Sequence, residues 1–186
     1  MKKMLLGTLT ALVFTTGAIA TENFFNYKQE VGIGVSYIDR NFDGWDNNNY
    51  GFNLNGKLMK SLNEIIAVGV TVNFDYNPSV KLKSGTSNPT EYILDFLPTV
   101  TYIINDKVDV SAMIGYEYGK YNADWGDWNT KGLSYGVTAS YVIMPQIRAN
   151  ISVLRASMDF TTSSYGAVDD NNVQTTRYTI GVGYNF

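Results

Sequence analysis

Residues 177–186 read Arg177-Tyr178-Thr179-Ile180-Gly181-Val182-Gly183-Tyr184-Asn185-Phe186, and every second side chain is large and apolar or aromatic. Tyr178, Ile180, Val182, Tyr184 and Phe186 share one face of an extended chain, while Arg177, Thr179, Gly181, Gly183 and Asn185 share the other. Period two marks a strand whose two faces meet different surroundings.

Seven more segments repeat the design. Residues 147–158 set Ile147, Ala149, Ile151 and Val153 against Arg148, Asn150 and Ser152. Residues 132–142 set Leu133, Tyr135, Val137, Ala139 and Tyr141 against Ser134, Gly136, Thr138 and Ser140. Farther upstream lie 108–119, 91–103, 65–76, 50–58 and 30–38, apolar or aromatic on one parity and mostly small, polar or charged on the other. Connectors alternate in length: 60–64, 105–107 and 143–146 are tight, whereas 40–49, 77–90, 120–131 and 159–176 are long and rich in Asn, Asp, Ser and Gly. Eight such strands in 186 residues predict one all-β domain, an eight-stranded antiparallel up-and-down β-barrel. Short turns on one rim and long loops on the other are the habit of transmembrane barrels.

Glycine decides which face is outside. Gly32, Gly34, Gly51, Gly69, Gly115, Gly132, Gly136, Gly181 and Gly183 lie on the polar parity, and Gly56 is the main exception. Eight strands leave room inside for little more than their own side chains, so small residues belong on the inner wall. A soluble barrel would instead crowd Tyr, Phe, Ile and Val into that space. Tyr37, Tyr50, Tyr76, Tyr92 and Tyr118 mark the apolar face at the long-loop ends; Tyr102, Tyr141, Tyr184 and Phe186 mark it at the short-turn ends. Two aromatic girdles with aliphatic residues between them match two water–lipid interfaces.

The N-terminus points to export. Lys2 and Lys3 precede an apolar run at 4–14, and Ala18-Ile19-Ala20 offers the small residues of a signal-peptidase site. A run of about 11 residues is too short for a bilayer core, which takes roughly 20. The expected organisation is a cleaved signal peptide at 1–20, a periplasmic N-terminal segment at 21–28 and an outer-membrane barrel at 29–186. An even strand count returns both termini to the periplasmic, short-turn side and leaves the long loops extracellular.

The full chain has 14 basic and 17 acidic residues; without Lys2 and Lys3 it has 12 and 17, a net charge of −5. That balance argues against a nucleic-acid partner. The absence of Cys and His removes disulfides, the commonest transition-metal ligand and the usual general base. No metal site, cofactor or catalytic residue is expected, and the chain reads as a non-enzyme.

The final octet, Thr179 to Phe186, resembles the terminal assembly signal of bacterial outer-membrane proteins: alternate apolar residues ending in an aromatic, here Tyr184 and Phe186. The chain as a whole resembles the small eight-stranded barrels related to the OmpA transmembrane domain, OmpX and the opacity proteins. That resemblance implies assembly by the barrel assembly machinery in a membrane of lipid and lipopolysaccharide. Small outer-membrane acyltransferases and deacylases rely on a histidine, which this chain lacks.

Charges fall on the inner parity. Glu30, Lys57, Asp109 and Arg148 lie toward the short turns; Asp75, Glu91, Asp95, Glu117 and Arg177 lie farther out. Glu30 and Lys57 are expected on neighbouring strands at matching depth, and Asp109 and Arg148 one strand apart. Buried charges persist only if paired or hydrated, so one reading is a plug of ion pairs. The other is a narrow cation-preferring, porin-like path for small solutes, because the outer layer counts four acids against one arginine. All three tryptophans, Trp45, Trp125 and Trp128, fall in loops beside Asp and Asn, where they could meet an extracellular glycan or protein. The blander reading packs them loop against loop or at the lipopolysaccharide boundary. Arg155 stands on the apolar parity; it either snorkels to a lipid phosphate or is turned inward by a bulge. Pro98 removes a ladder donor and suggests a bulge or kink. The expected function is a structural or surface-interaction protein of adhesion type, with the channel as the alternative.

Overall fold

A computed structural model describes residues 27–42, 45–79, 89–123, 126–162 and 173–186. They form one closed antiparallel barrel. The strands are β1 (Tyr27–Phe42), β2 (Trp45–Ser61), β3 (Ile66–Asn77), β4 (Thr90–Asn105), β5 (Val108–Ala123), β6 (Gly126–Met144), β7 (Ile147–Thr162) and β8 (Val173–Asn185). Each pairs with the next, and β8 closes on β1 through pairs such as Gly32 with Gly183 and Tyr37 with Tyr178. β1 already pairs at Tyr27 and Lys28, inside the segment expected to precede the barrel. The expected signal peptide lies outside the described residues.

Alternation sets the wall. Ile33, Phe52 and Ile180 face outward at 61, 64 and 67% exposure, while Ser36, Asp75 and Asp95 face inward at 0%. Successive partners Lys28, Met59, Gly69, Thr99, Met113, Gly136, Leu154 and Arg177 lead back to Ile38, ten residues along the starting strand. For eight strands this stagger corresponds to a tilt of roughly 40–45° and a bore only wide enough for side chains. The inner glycines follow from that width. A Cβ on Gly132 would lie 1.9 Å from the Ser157 carbonyl oxygen, and one on Gly115 2.0 Å from that of Phe96.

Three tight turns close one rim. Asn63 Oδ1 accepts from the amides of Ile65 and Ile66 at 2.8 and 2.7 Å, and Asn105 Oδ1 does the same for Lys107 and Val108 at 2.9 and 3.0 Å. Short polar side chains thereby satisfy backbone donors that the ladder leaves unpaired. Register shifts accompany two of these turns, between Ile103 and Asn105 and between Val142 and Met144.

The opposite rim departs from expectation. Stretches 40–49 and 120–131, read as loops, are largely strand: β1 and β2 pair up to Phe42 with Trp45, and β5 and β6 up to Ala123 with Gly126. Strands of 16–19 residues exceed the roughly 9–11 that cross a bilayer. The ladder's hydrogen bonds are indifferent to side-chain polarity, so Asn- and Asp-rich sequence extends it past the apolar band.

The structure corrects the expected bulge at Pro98 and decides between the two readings of Arg155. Pro98 causes no bulge: Phe96 pairs with Tyr116 and Thr99 with Met113 in the same register, leaving a short gap in the β4–β5 ladder. Arg155 is not turned inward; it is exposed and pairs in unbroken register with Tyr135 and Thr176. The bore is also less polar than the sequence implies. Leu97, Met113 and Leu154 form one buried apolar cluster, and Ala156, Met158 and Val173 form another.

Candidate functional site

The charged interior divides into two layers separated by neutral side chains. Nearest the turn rim, Arg148 on β7 bonds Asp109 on β5 through Nη2, and its Nη1 lies 3.8 Å from Glu30 Oε2 on β1. Glu30 Oε1 also accepts from Asn150 Nδ2 at 2.6 Å. Glu30 and Lys57 are direct partners in register, yet the Lys57 ammonium reaches across the bore and donates to Ser111 Oγ at 2.7 Å. Arg148 is therefore the cation that gathers both acids. Beneath this layer, a pocket of about 440 Å³ at the turn rim is lined by Lys28, Met59, Glu64, Thr101, Asp106 and Asn185 together with the four charged residues.

Above it, Asn53, Asn55, Thr71, Asn73, Ser140 and Ser152 surround a cavity of about 40 Å³, room for one or two waters. Asn55 Nδ2 donates to Asn53 Oδ1 at 3.0 Å, and Asn53 Nδ2 donates to Asp75 Oδ2 at 3.1 Å. The Leu97, Met113 and Leu154 cluster closes the bore on the neighbouring wall.

The second charged layer is fully buried. Arg177 on β8 extends its fork to three strands: Nη1 lies 3.0 Å from Asp75 on β3, Nη2 bonds Asp95 on β4, and Nη2 lies 3.5 Å from Glu117 on β5. Asp75 also accepts from Ser36 Oγ, and Ser36 meets Thr179 Oγ1 at 2.9 Å. Arg177 and its three carboxylates are each at most 2% exposed. The planar guanidinium suits this task because it presents several fixed donors and stays charged.

Glu91 does not join Arg177. It bonds Arg40 and accepts from Asn77 Nδ2 at 2.5 Å. The Arg40 guanidinium lies over the Tyr121 ring, 5.7 Å from its centroid, within cation–π range. Arg40 was missed because stretch 40–49 reads as a loop by composition. The signal that finds it is parity: Ser36, Ile38 and Arg40 continue the inner face without a break. With Arg40 present, the four outer acids face two arginines, and the expected excess of acids falls from three to two.

Outside the barrel, Tyr37 contacts Tyr50 and Tyr178 at centroid distances of 5.2 and 6.2 Å, and Tyr76 contacts Tyr92 at 5.4 Å. At the turn rim Tyr184 and Phe186 meet edge to face at 5.1 Å, and the Phe186 amide donates to the Gln29 carbonyl at 3.1 Å. Of the tryptophans, Trp45 lies in β2 opposite Phe42, and Trp128 lies in β6 opposite Tyr121 and Thr162. Their side chains, and Trp125 altogether, lie outside the described residues.

The architecture is shared with solved outer-membrane barrels. Ail, the attachment invasion locus protein of Yersinia pestis, superimposes with a TM-score of 0.59 at 17% identity, covering 87% of this chain and 100% of Ail. Neisserial surface protein A gives 0.56 at 13% identity over 85% and 97% of the two chains. OprG of Pseudomonas aeruginosa gives 0.54 at 13% identity over 86% and 95%. Such likeness shows the fold. No curated protein matches the chain in sequence. The family model described as outer membrane protein beta-barrel domain matches residues 6–186. With the closed eight-stranded barrel that the chain forms, this match shows that the chain belongs to that family as an outer-membrane β-barrel protein.

Proposed function

We propose that the chain is a closed surface-interaction protein of the outer membrane, whose barrel is a rigid support and whose long-loop rim meets ligands outside the cell. In this reading residues 1–20 are a cleaved signal peptide, the turn rim and both termini face the periplasm, and the barrel assembly machinery recognises Tyr184 and Phe186. The reading describes a non-enzyme.

One observation carries the proposal. Arg177, Asp75, Asp95 and Glu117 join strands from both sides of the bore and leave no exposed polar surface between them. The Arg40–Glu91 pair lies farther along the same bore, on the long-loop side. A permeating ion would have to separate charges already paired in a low-dielectric interior, which is unfavourable for a buried pair. The alternative, a narrow cation-preferring path, draws support from the 440 Å³ pocket and the four-to-two excess of acids.

Planar-bilayer recording on the purified full chain separates the two. The plugged reading expects little or only intermittent conductance. Steady cation-selective current would overturn it in favour of the channel.

For the rim, Trp45, Trp125 and Trp128 are the candidate ligand contacts. Ail has been solved with the heparin analogue sucrose octasulfate, which makes sulfated glycans a reasonable first probe for this chain. Replacing Trp125 and Trp128 with alanine is expected to reduce any glycan or cell binding while leaving the heat-resistant fold intact. Loss of the fold in that double variant would favour a packing role.

A further inference from the structure

On the outer face of β7 the apolar series Ile147, Ala149, Ile151, Val153 gives way to Arg155. The register sets Arg155 opposite Tyr135 on β6 and Thr176 on β8. The adjacent pair, Val153 with Tyr178, belongs to the aromatic girdle, since Tyr178 also faces Tyr37. The guanidinium thus stands in the girdle at the long-loop end of the apolar band, where β1 to β5 carry Tyr37, Tyr50, Tyr76, Tyr92 and Tyr118. Arg155 is exposed, and its Nη2 donates to Oε1 of the exposed Gln174 on β8 at 2.6 Å. That neutral acceptor orients the fork without cancelling its charge, and a guanidinium has five N–H donors to offer. Lys131, also exposed, faces outward on β6 between Tyr118 and Asp159.

We propose that Arg155, oriented by Gln174 and assisted by Lys131, binds a phosphate of lipid A in the outer leaflet. Depth and charge together select this occupant. A cation on the lipid face is tolerated near the interface and penalised at mid-bilayer. There it meets headgroup anions, and its planar fork matches a phosphate through two parallel hydrogen bonds. A ligand held at this depth also needs acyl chains to lie along the apolar wall beside it, formed by Leu133, Tyr135, Ile151 and Val153. Asp159, opposite Lys131, is the acid of the patch; it leaves Arg155, with its neutral partner, as the principal anion contact. The inference rests on the proposed orientation, in which the long-loop rim faces outward.

The test refolds the full chain into phosphatidylcholine vesicles with or without a few mole per cent of diphosphoryl lipid A. Unfolding is read as loss of the heat-resistant gel mobility. Preferential binding to the folded state should raise the wild-type unfolding temperature by about 2–4 °C. Arg155→Ala should lose most of that rise, Arg155→Lys should keep part of it, and Lys60→Ala on the turn rim should keep all of it. Dephosphorylated lipid A, or inorganic phosphate added to plain vesicles, should produce little rise. An equal rise for wild type and Arg155→Ala, or an equal rise with either control ligand, would overturn the proposal. If Arg155→Ala does not refold, Gln174→Ala serves in its place: a reduced rise supports the site, and an unchanged one sinks it. Lipid A occupies both leaflets of these vesicles, so the result does not depend on orientation. Protease accessibility of the long-loop rim in intact cells tests orientation separately.

Discussion

Arg177 on β8 and Asp95 on β4 meet across the bore, guanidinium Nη2 against carboxylate Oδ2, each at most 2% exposed. The two strands lie four apart in a ring of eight, so this contact spans the barrel rather than following its wall. It joins elements that the backbone ladder connects only through the strands between them. The same guanidinium also holds Asp75 and Glu117, so its loss strands three carboxylates at once.

Arg177→Ala should therefore destabilise the barrel by about 3–5 kcal/mol, the usual cost of breaking a buried pair, and by less if water enters the space. Arg177→Lys should fall between, since an ammonium keeps the charge but loses the fork. Urea unfolding in vesicles measures both. A midpoint unchanged in Arg177→Ala would mean that these carboxylates are already hydrated.

Close approach of neighbouring strands predicts a contrast between two glycines. Gly132→Val should block refolding or sharply lower the yield of folded barrel, because its Cβ would meet the Ser157 carbonyl oxygen at 1.9 Å. Gly56→Val lies on the lipid parity, between Val31 on β1 and Val72 on β3, and should fold with near wild-type yield. Equal behaviour of the two variants would contradict the assignment of inner and outer faces.

Assembly supplies a third expectation. Deleting Phe186 should lower insertion into the outer membrane while export to the periplasm continues. The deletion removes the edge-to-face contact with Tyr184 and the hydrogen bond that the Phe186 amide donates to the Gln29 carbonyl on β1, both at the closing seam. Surface levels equal to wild type would remove the terminal aromatic from the assembly signal.

The wall was legible in the sequence because side-chain type carries it directly. Ile33 and Val35 against Gly34 and Ser36 announce both strand and orientation, and the inner glycines announce a narrow bore. Contacts across the bore were less legible. Lys57 lies opposite Glu30 in register but bonds Ser111, three strands away around the barrel; a flexible stem makes that choice, and no local pattern encodes it. Arg40 was hidden by composition, since Asn and Asp suggest loops even where the ladder continues. Leu97, Met113 and Leu154 interrupt the polar parity, and only the closed barrel brings these apolar residues from β4, β5 and β7 together.

The pair Arg148 and Asp109 offers the sharpest test of the inner layer, because its partners lie on β7 and β5 with β6 between them. Arg148→Ala leaves Asp109 without its cation and loosens Glu30, which lies 3.8 Å from Arg148 Nη1. The side chain of Arg148 is 16% exposed and borders the 440 Å³ pocket, so water can partly replace it. The cost should accordingly be smaller than for Arg177→Ala, about 1–3 kcal/mol, in the range for leaving a buried polar group unsatisfied. Reversing both partners, Asp109→Arg with Arg148→Asp, should recover part of the loss, because the contact between positions 109 and 148 is restored. Full recovery is not expected, since Glu30 would then face an aspartate at position 148. A double-mutant cycle by urea unfolding reads the coupling directly. Additive effects of the two single reversals would show that Arg148 and Asp109 contribute independently, and the layer would then be a set of solvated charges.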